Sequence, residues 1–267
     1  MSESPAVSCA GLARIARVEA VMGMPVIVEV CDGGFDEAAV QRVYRWLHYV
    51  DQTFSTYNSA SEISRLNRGE IDLADTSLAV RSVIHRCAAL RGQTDGFFDI
   101  HAASTGGGVD PSGFVKGWAV LGGARLLERA GAANFCIDAG GDIIVRGEAP
   151  QGGPWRVGIA HPLTPDAILG AVALRDCAIA TSGTYARGHH ITDPRTGCAA
   201  SGLLSVTVIG PDLPLADAFA TAAFAMGHAA LEWCRRQRGC EFLIVTDAQE
   251  VFSTPGFERY RLREDAA

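Results

Sequence analysis

The stretch Phe135-Cys-Ile-Asp-Ala-Gly-Gly-Asp-Ile-Ile-Val-Arg146 decides the fold. Two short β-type runs, Phe135–Asp138 and Asp142–Arg146, flank Gly140-Gly141. A Gly-Gly pair permits a tight turn or a close backbone approach. No helical pattern follows it, so a hairpin outweighs a phosphate loop. A hairpin in mid-chain calls for an antiparallel sheet.

Upstream, Pro25-Val-Ile-Val-Glu-Val30 reads as a strand. Between Phe35 and Phe54, Val40, Val43, Tyr44, Leu47 and Val50 recur at helical spacing, and Thr76 to Leu90 repeats the pattern with Gly92 as a stop. Ser59 or Ser61 caps a short helix, and Ser59 with Glu62 fits a capping box. Gly113 to Ala130 predicts a further helix, with Ser112 as N-cap.

Downstream, Trp155–Ile159, Leu169–Leu174 and Leu203–Ile209 predict strands. Leu215–Met226 and Ala229–Arg238 predict helices, and Glu241–Val245 with Glu250–Ser253 a terminal hairpin. Helices fall in pairs between groups of strands, which is the pattern of an α+β fold: antiparallel sheets packed with paired helices. No low-complexity linker or fixed-period repeat interrupts it. We expect residues 1–18 to form a flexible extension and 19–267 a single domain, or two fused subdomains.

The chain has 267 residues, 48% of them hydrophobic, enough for a sizeable core. Its net charge of -7 and the lack of a basic run argue against a nucleic-acid surface. No apolar stretch reaches the ~18–20 residues of a membrane span. The N-terminus lacks a basic n-region and an apolar h-region, and nothing precedes Ser8-Cys9-Ala10-Gly11 that would make it a lipoprotein box. A cytoplasmic location is the expectation. The eight cysteines form no CxxC pair and sit mostly in apolar strings, which predicts free, buried thiols.

Four places carry candidate chemistry. Lys116 is the one lysine beside 22 arginines. It follows Asp110-Pro-Ser-Gly113, about one turn into a helix whose N-terminal N–H groups suit an anion. A compact ammonium fits where an arginine fork does not. Asp217 and Thr221 are four apart and share one face of an Ala-rich helix. Carboxylate plus hydroxyl suits a hard cation such as Mg²⁺, although an Asp near a helix start also serves the dipole. Thr181-Ser-Gly-Thr184 and His190 to Gly197 gather hydroxyls, histidine and carboxylate in a loop; a general base with its orienting group is one reading, a polar hairpin the other. Tyr57 and Gly96-Phe97-Phe98-Asp99 offer aromatic walls for a flat ring, or plain core packing.

Taken in order, these stretches resemble one family. Met22-Gly-Met-Pro-Val, Phe54-Ser-Thr-Tyr57, Ser61-Glu-Ile-Ser-Arg-Leu-Asn67, Gly96-Phe-Phe-Asp99, Asp110-x-x-Gly113-x-x-Lys116-Gly, Gly140-Gly-Asp142, Thr181-Ser-Gly183, His190-Ile-x-Asp-Pro-Arg-Thr-Gly197 and Ala216-Asp-Ala-x-Ala-Thr221 are similar to the motifs of the ApbE-type FAD:protein FMN transferases. The resemblance covers roughly residues 20 to 255. It implies a T-fold-like unit and Mg²⁺-dependent transfer of FMN from FAD to a Thr or Ser hydroxyl of a target protein, with AMP released. It also leaves room for a Mg²⁺-dependent FAD pyrophosphatase or a non-enzymatic flavin-binding protein.

Carried over by position, Met22, Tyr57, Phe97, Phe98 and Asp99 line the flavin pocket. Asp110 and Lys116 contact FAD, as do Ile191 or Thr192. Gly113 through its carbonyl, Asp217 and Thr221 hold the metal, and His190 is the candidate base. The sequence departs from the family pattern in four places. Ile100-His101 replaces Pro-Thr, the loop before His190 is short, Thr192 stands for an apolar residue, and Gly113 stands where Ala is common.

Overall fold

The computed structural model describes residues 14–102, 108–183 and 191–262. It opens with a hairpin of β1 (Ile15–Val21) and β2 (Met24–Val30), so the first strand begins ahead of the expected domain start at residue 19. Four helices follow: α1 (Glu37–Phe54), α2 (Glu62–Asn67), α3 (Leu78–Gln93) and α4 (Ser112–Arg129). Next come β3 (Phe135–Ala139), β4 (Asp142–Arg146), β5 (Trp155–Ala160), β6 (Ile168–Leu174), β7 (Ala178–Gly183) and β8 (Leu203–Gly210). The chain ends with α5 (Leu213–Met226), α6 (Ala230–Arg236), β9 (Glu241–Thr246) and β10 (Val251–Ser253).

One eight-stranded sheet runs in the order β1-β2-β3-β4-β7-β8-β9-β10, with β5 and β6 pairing separately. Every pairing in it is antiparallel. The decisive hairpin forms as expected: Ala139 pairs with Asp142, and Gly140 and Gly141 both take positive φ. That is the backbone a two-residue turn needs to match strand twist.

Alternation along the strands makes two cores. Val26, Val28, Val30, Ile137 and Ile144 face the helices. Ile143, Val145 and Ile179 face the other way and meet Trp155, Val172 and Leu174 of the small sheet. Among the described residues no helix is long and apolar enough to cross a membrane. The seven described cysteines are free, and all but Cys136 and Cys198 are buried.

The helix α4 is the hub of the helical layer. A methyl group on Gly117 would lie 2.9 Å from the backbone of Leu213 and Pro214 on α5. One on Gly123 would lie 2.8 Å from Val43 of α1, and one on Gly122 would overlap the Trp46 indole. The same indole donates to the Ala119 carbonyl at 2.8 Å. Glycine here buys close helix contact at a cost in helix propensity.

Several local features differ from the sequence expectation. Helix α3 runs through Gly92 and stops where Asp95 and Gly96 take positive φ. Helix α4 has Pro111 at its N-cap, and Asp110, not Ser112, supplies the side-chain acceptor by bonding the Ser112 N–H at 3.0 Å. Ser61 caps α2, while Glu62 accepts from the Ser77 N–H at 2.6 Å and ties α2 to the start of α3, so no capping box forms. Ala180–Gly183 belongs to β7 rather than to a loop.

Gly117→Ala is expected to destabilise the fold by about 1–3 kcal/mol, because backbone atoms on α5 must move to admit the methyl group. Gly92→Ala meets nothing within 4 Å, so it should gain about 0.5–1 kcal/mol from helix propensity alone. Urea unfolding of the two variants beside the parent checks the opposite signs.

Candidate functional site

Helices α4 and α5 run antiparallel through their glycine contact. Gly117 lies against Leu213 and Pro214, and Gly113 lies near Thr221, whose Oγ1 would be 3.7 Å from a methyl group there. Positions 213, 217 and 221 are four apart, so they share the α5 face turned to α4. Asp217 therefore sits in the middle of this seam, and it is only 5% exposed. The helix dipole does not account for it. Asp212 is the N-cap of α5 and accepts from the Leu215 N–H at 3.0 Å. A buried carboxylate on an otherwise apolar helix is costly without compensation.

Lys116 lies on the same turn of α4. Its ammonium pairs with the Asp142 carboxylate, whose side chain is 3% exposed. Asp142 pairs with Ala139 across the hairpin, so it points to the helical side of the sheet. Its Oδ1 accepts the Thr181 N–H at 3.1 Å. Next along β7, the Ser182 hydroxyl lies 3.4 Å from that of Thr221. The sheet and both helices thus converge on Gly113, Lys116, Asp142, Ser182, Asp217 and Thr221.

Asp138 stands beside this group on the far side of the Gly-Gly turn and accepts the Gly141 N–H at 2.8 Å. Burial pushes its pKa up from the ordinary 3.8, the Asp142 charge adds to the rise, and Lys116 opposes it. Met24 packs its sulfur against Gly140, which brings the β1–β2 turn alongside. Met22 occupies that turn with φ +56, an uncommon conformation for a side-chain-bearing residue.

The approach to Asp110 is fixed from both flanks. The Asn67 side chain accepts the Val109 N–H at 2.8 Å and donates to its carbonyl at 2.9 Å. The Asp110 N–H reaches Ile100 O at 2.7 Å. Asp99 is engaged by Arg91 Nε at 2.8 Å and by the His101 N–H at 3.0 Å. Phe98 is buried against Gly113 and belongs to the core. Phe97 is partly covered: the Arg195 guanidinium stands 3.9 Å over its ring and donates to Asp95 O at 2.9 Å. Through that contact the Asp193–Gly197 turn closes on the Gly96-Phe97 turn. Ile191 packs on the core and Thr192 bridges to Ala199. Tyr57 is 98% exposed, its ring presented to solvent. His190 lies outside the described residues.

Sequence reasoning found Gly113, Lys116, Asp217 and Thr221, and the structure brings them together. It gave no individual role to Asp142, Ser182, Asn67 or Arg195, although each lies in a stretch it singled out. The Gly-Gly-Asp motif was the available signal for Asp142, since an acidic residue opening a buried strand needs a counter-charge.

Among the described residues no group of three or more His, Cys, Asp or Glu is placed to hold a metal. The side chains brought together are the carboxylates of Asp142 and Asp217, the hydroxyls of Ser182 and Thr221, and the Lys116 ammonium, a set of hard oxygens beside one fixed positive charge.

Comparison with known proteins narrows the class. The chain matches the ApbE family over residues 22–106 and 102–244 and belongs to that family. It is 33% identical to the FAD:protein FMN transferase of Salmonella typhimurium over 57% of this chain and 47% of that protein, so it spans about half the length of that relative. It is 30% identical to the FAD:protein FMN transferase of Chlamydia trachomatis, over 78% of this chain and 82% of that one. The fold matches the ApbE protein of Thermotoga maritima with a TM-score of 0.85, and the flavin transferase ApbE of Vibrio cholerae with 0.82. Each structure is 22% identical, with 94% of this chain and 100% of the other covered.

Asp138→Asn keeps an oxygen acceptor for Gly141 and removes the charge. A carboxyl whose folded pKa is raised stabilises most when protonated, and that contribution is lost as pH rises through the raised value. The variant is therefore expected to match the parent near pH 3 and to melt higher than it at pH 7. Thermal melts across that range test the sign.

Proposed function

We propose that this chain transfers FMN from FAD to a Thr or Ser hydroxyl of an acceptor protein and releases AMP. The meeting of Gly113, Asp217 and Thr221 in one buried seam, with Lys116 directed to Asp142 beside it, carries the proposal, supported by family membership. The acceptor oxygen forms a bond to the FMN-side phosphorus. The anhydride bond to the AMP phosphate breaks, and AMP leaves with the electron pair. The hydroxyl proton passes to a base, for which His190 is the candidate.

Asp217, Thr221 and the Gly113 carbonyl suit Mg²⁺, because all three are oxygen donors and Asp217 has no capping duty. Bound there, Mg²⁺ supplies neutralisation of phosphate charge. Lys116 adds a fixed positive charge on the same side. The N-terminal end of α4, whose approach Asn67 and Asp110 hold, lies beside this charge and lends it the positive end of the helix dipole. Tyr57 offers a ring face for the isoalloxazine, and Asp110 with Ile191 or Thr192 would contact the nucleotide.

The test is AMP release from FAD and Mg²⁺, with and without a Thr-containing acceptor peptide, alongside the peptide's mass. A mass gain equal to FMN is expected. AMP with no gain under any acceptor tried would replace transfer by hydrolysis, and no AMP would leave a flavin binder. Asp217→Ala is expected to lower turnover by about 100-fold or more, the scale of removing a charge-stabilising group. Lys116→Arg keeps the charge and should still lose most activity, since the fork does not fit the ammonium's place. Wild-type turnover in either variant would remove its assigned role.

A further inference from the structure

We infer that Asp142 is a positioning residue that sets the Lys116 ammonium where the FAD pyrophosphate meets it. The inference rests on the function proposed above and assigns a role to a residue that the FAD and metal contacts do not include.

Asp142 is anchored by the sheet. It opens β4 directly after the Gly-Gly turn, and its backbone register opposite Ala139 turns its side chain to the helices. The Thr181 N–H fixes one carboxylate oxygen and the Lys116 ammonium engages the other. The carboxylate therefore has one orientation, set by two strands. Lys116 has the opposite character, a long stem with much rotamer entropy to lose on ordering. Pairing with a fixed carboxylate removes much of that loss before the ligand arrives.

An ammonium carries three donors, so engagement with Asp142 does not exhaust it. A quarter of the Lys116 side chain stays accessible, whereas Asp142 is sealed. The pair thus presents its cationic end and hides its anionic end. A guanidinium would satisfy the carboxylate with a bidentate fork and place its bulk in the seam. This gives the lone lysine of the chain a geometric cause.

Charge compensation alone is a different role, because a buried ion pair adds little net stability and an apolar pair would serve. A double-mutant cycle separates the two. FAD affinity of the full chain is measured by flavin fluorescence in EDTA, where no turnover intervenes, for the parent, Asp142→Asn, Lys116→Ala and the double variant. Asp142→Asn is expected to weaken FAD binding about 10-fold in the Lys116 background and to have almost no effect in the Lys116→Ala background. Equal losses in both backgrounds would overturn the inference.

If Asp142→Asn does not fold, the same cycle with Asp142→Glu decides it. Moving the carboxylate by one methylene should weaken binding several-fold only when Lys116 is present. In Mg²⁺ the loss should also appear in KM for FAD. A parent that binds FAD and releases no AMP would sink the proposed reaction while the cycle still decides the role of Asp142. A parent that binds no FAD with Mg²⁺ or without it would overturn both.

Discussion

The close approach of α4 and α5 at Gly113 and Gly117 is the constraint on which the site depends. Helices normally pack 8–10 Å apart, held off by their side chains. Here α5 backbone comes within 2.9 Å of where a β-carbon of residue 117 would be. The short seam lets a carboxylate and a hydroxyl on one helix meet the first turn of the other. It also decides where Lys116 goes. With Gly117 turned to α5, the neighbouring lysine is directed past the seam to the sheet, where Asp142 opens β4. Helix α4 spends four of its 18 residues on glycine, each costing about 1 kcal/mol of helix propensity. Its stability comes from contact with α1 and α5, not from the sequence of the helix itself.

The charges follow from this frame. Two buried carboxylates, Asp142 and Asp217, gather where one lysine lies, and Asp138, paired with Ile143 on the opposite face of the hairpin, stands close enough to feel both Asp142 and Lys116. Such a group favours a cation and disfavours a bare anion. Under the proposed function, an anionic nucleotide would enter with its own counter-ion, and the acidic net charge of the chain is consistent with that arrangement. Asp138 registers the same field in its raised pKa, with burial as the larger cause and the Asp142 charge as the second.

Much of the fold was legible because periodicity reports burial directly. The Gly-Gly turn, the valine alternation of β2 and the helical spacing of α1 each declare one element and one buried face. Boundaries were less legible because they rest on cap chemistry. Ser59, Ser61, Asp110 and Ser112 are all competent caps in isolation, and only the tertiary contacts choose among them. Strand β1 escaped notice for a related reason: most of its residues are exposed at the edge of the sheet, so burial imposed no alternation on them. In the site, residues that touch each other within one helix were readable, as with Asp217 and Thr221. Asn67, Asp142 and Arg195 act on partners 42, 26 and about 100 positions away, and no local pattern encodes such reach.

Arg195 shows how the last wall of the site depends on the same logic. The Asp193–Gly197 turn is exposed and makes its own internal bonds, with the Arg195 N–H on Asp193 at 2.9 Å. Those bonds shape the turn without placing it. Placement comes from one side chain, which stacks on Phe97 and bonds Asp95 O. Asp95 itself takes φ +52 at the end of α3, a left-handed conformation that aspartate tolerates better than most side-chain-bearing residues. The guanidinium suits this place for the reason it does not suit position 116. It is flat, it stacks, and its donors point outward in a plane. Arginine where a surface must be covered and lysine where a point charge must fit a seam are two uses of one charge, and the geometry of each place selects between them.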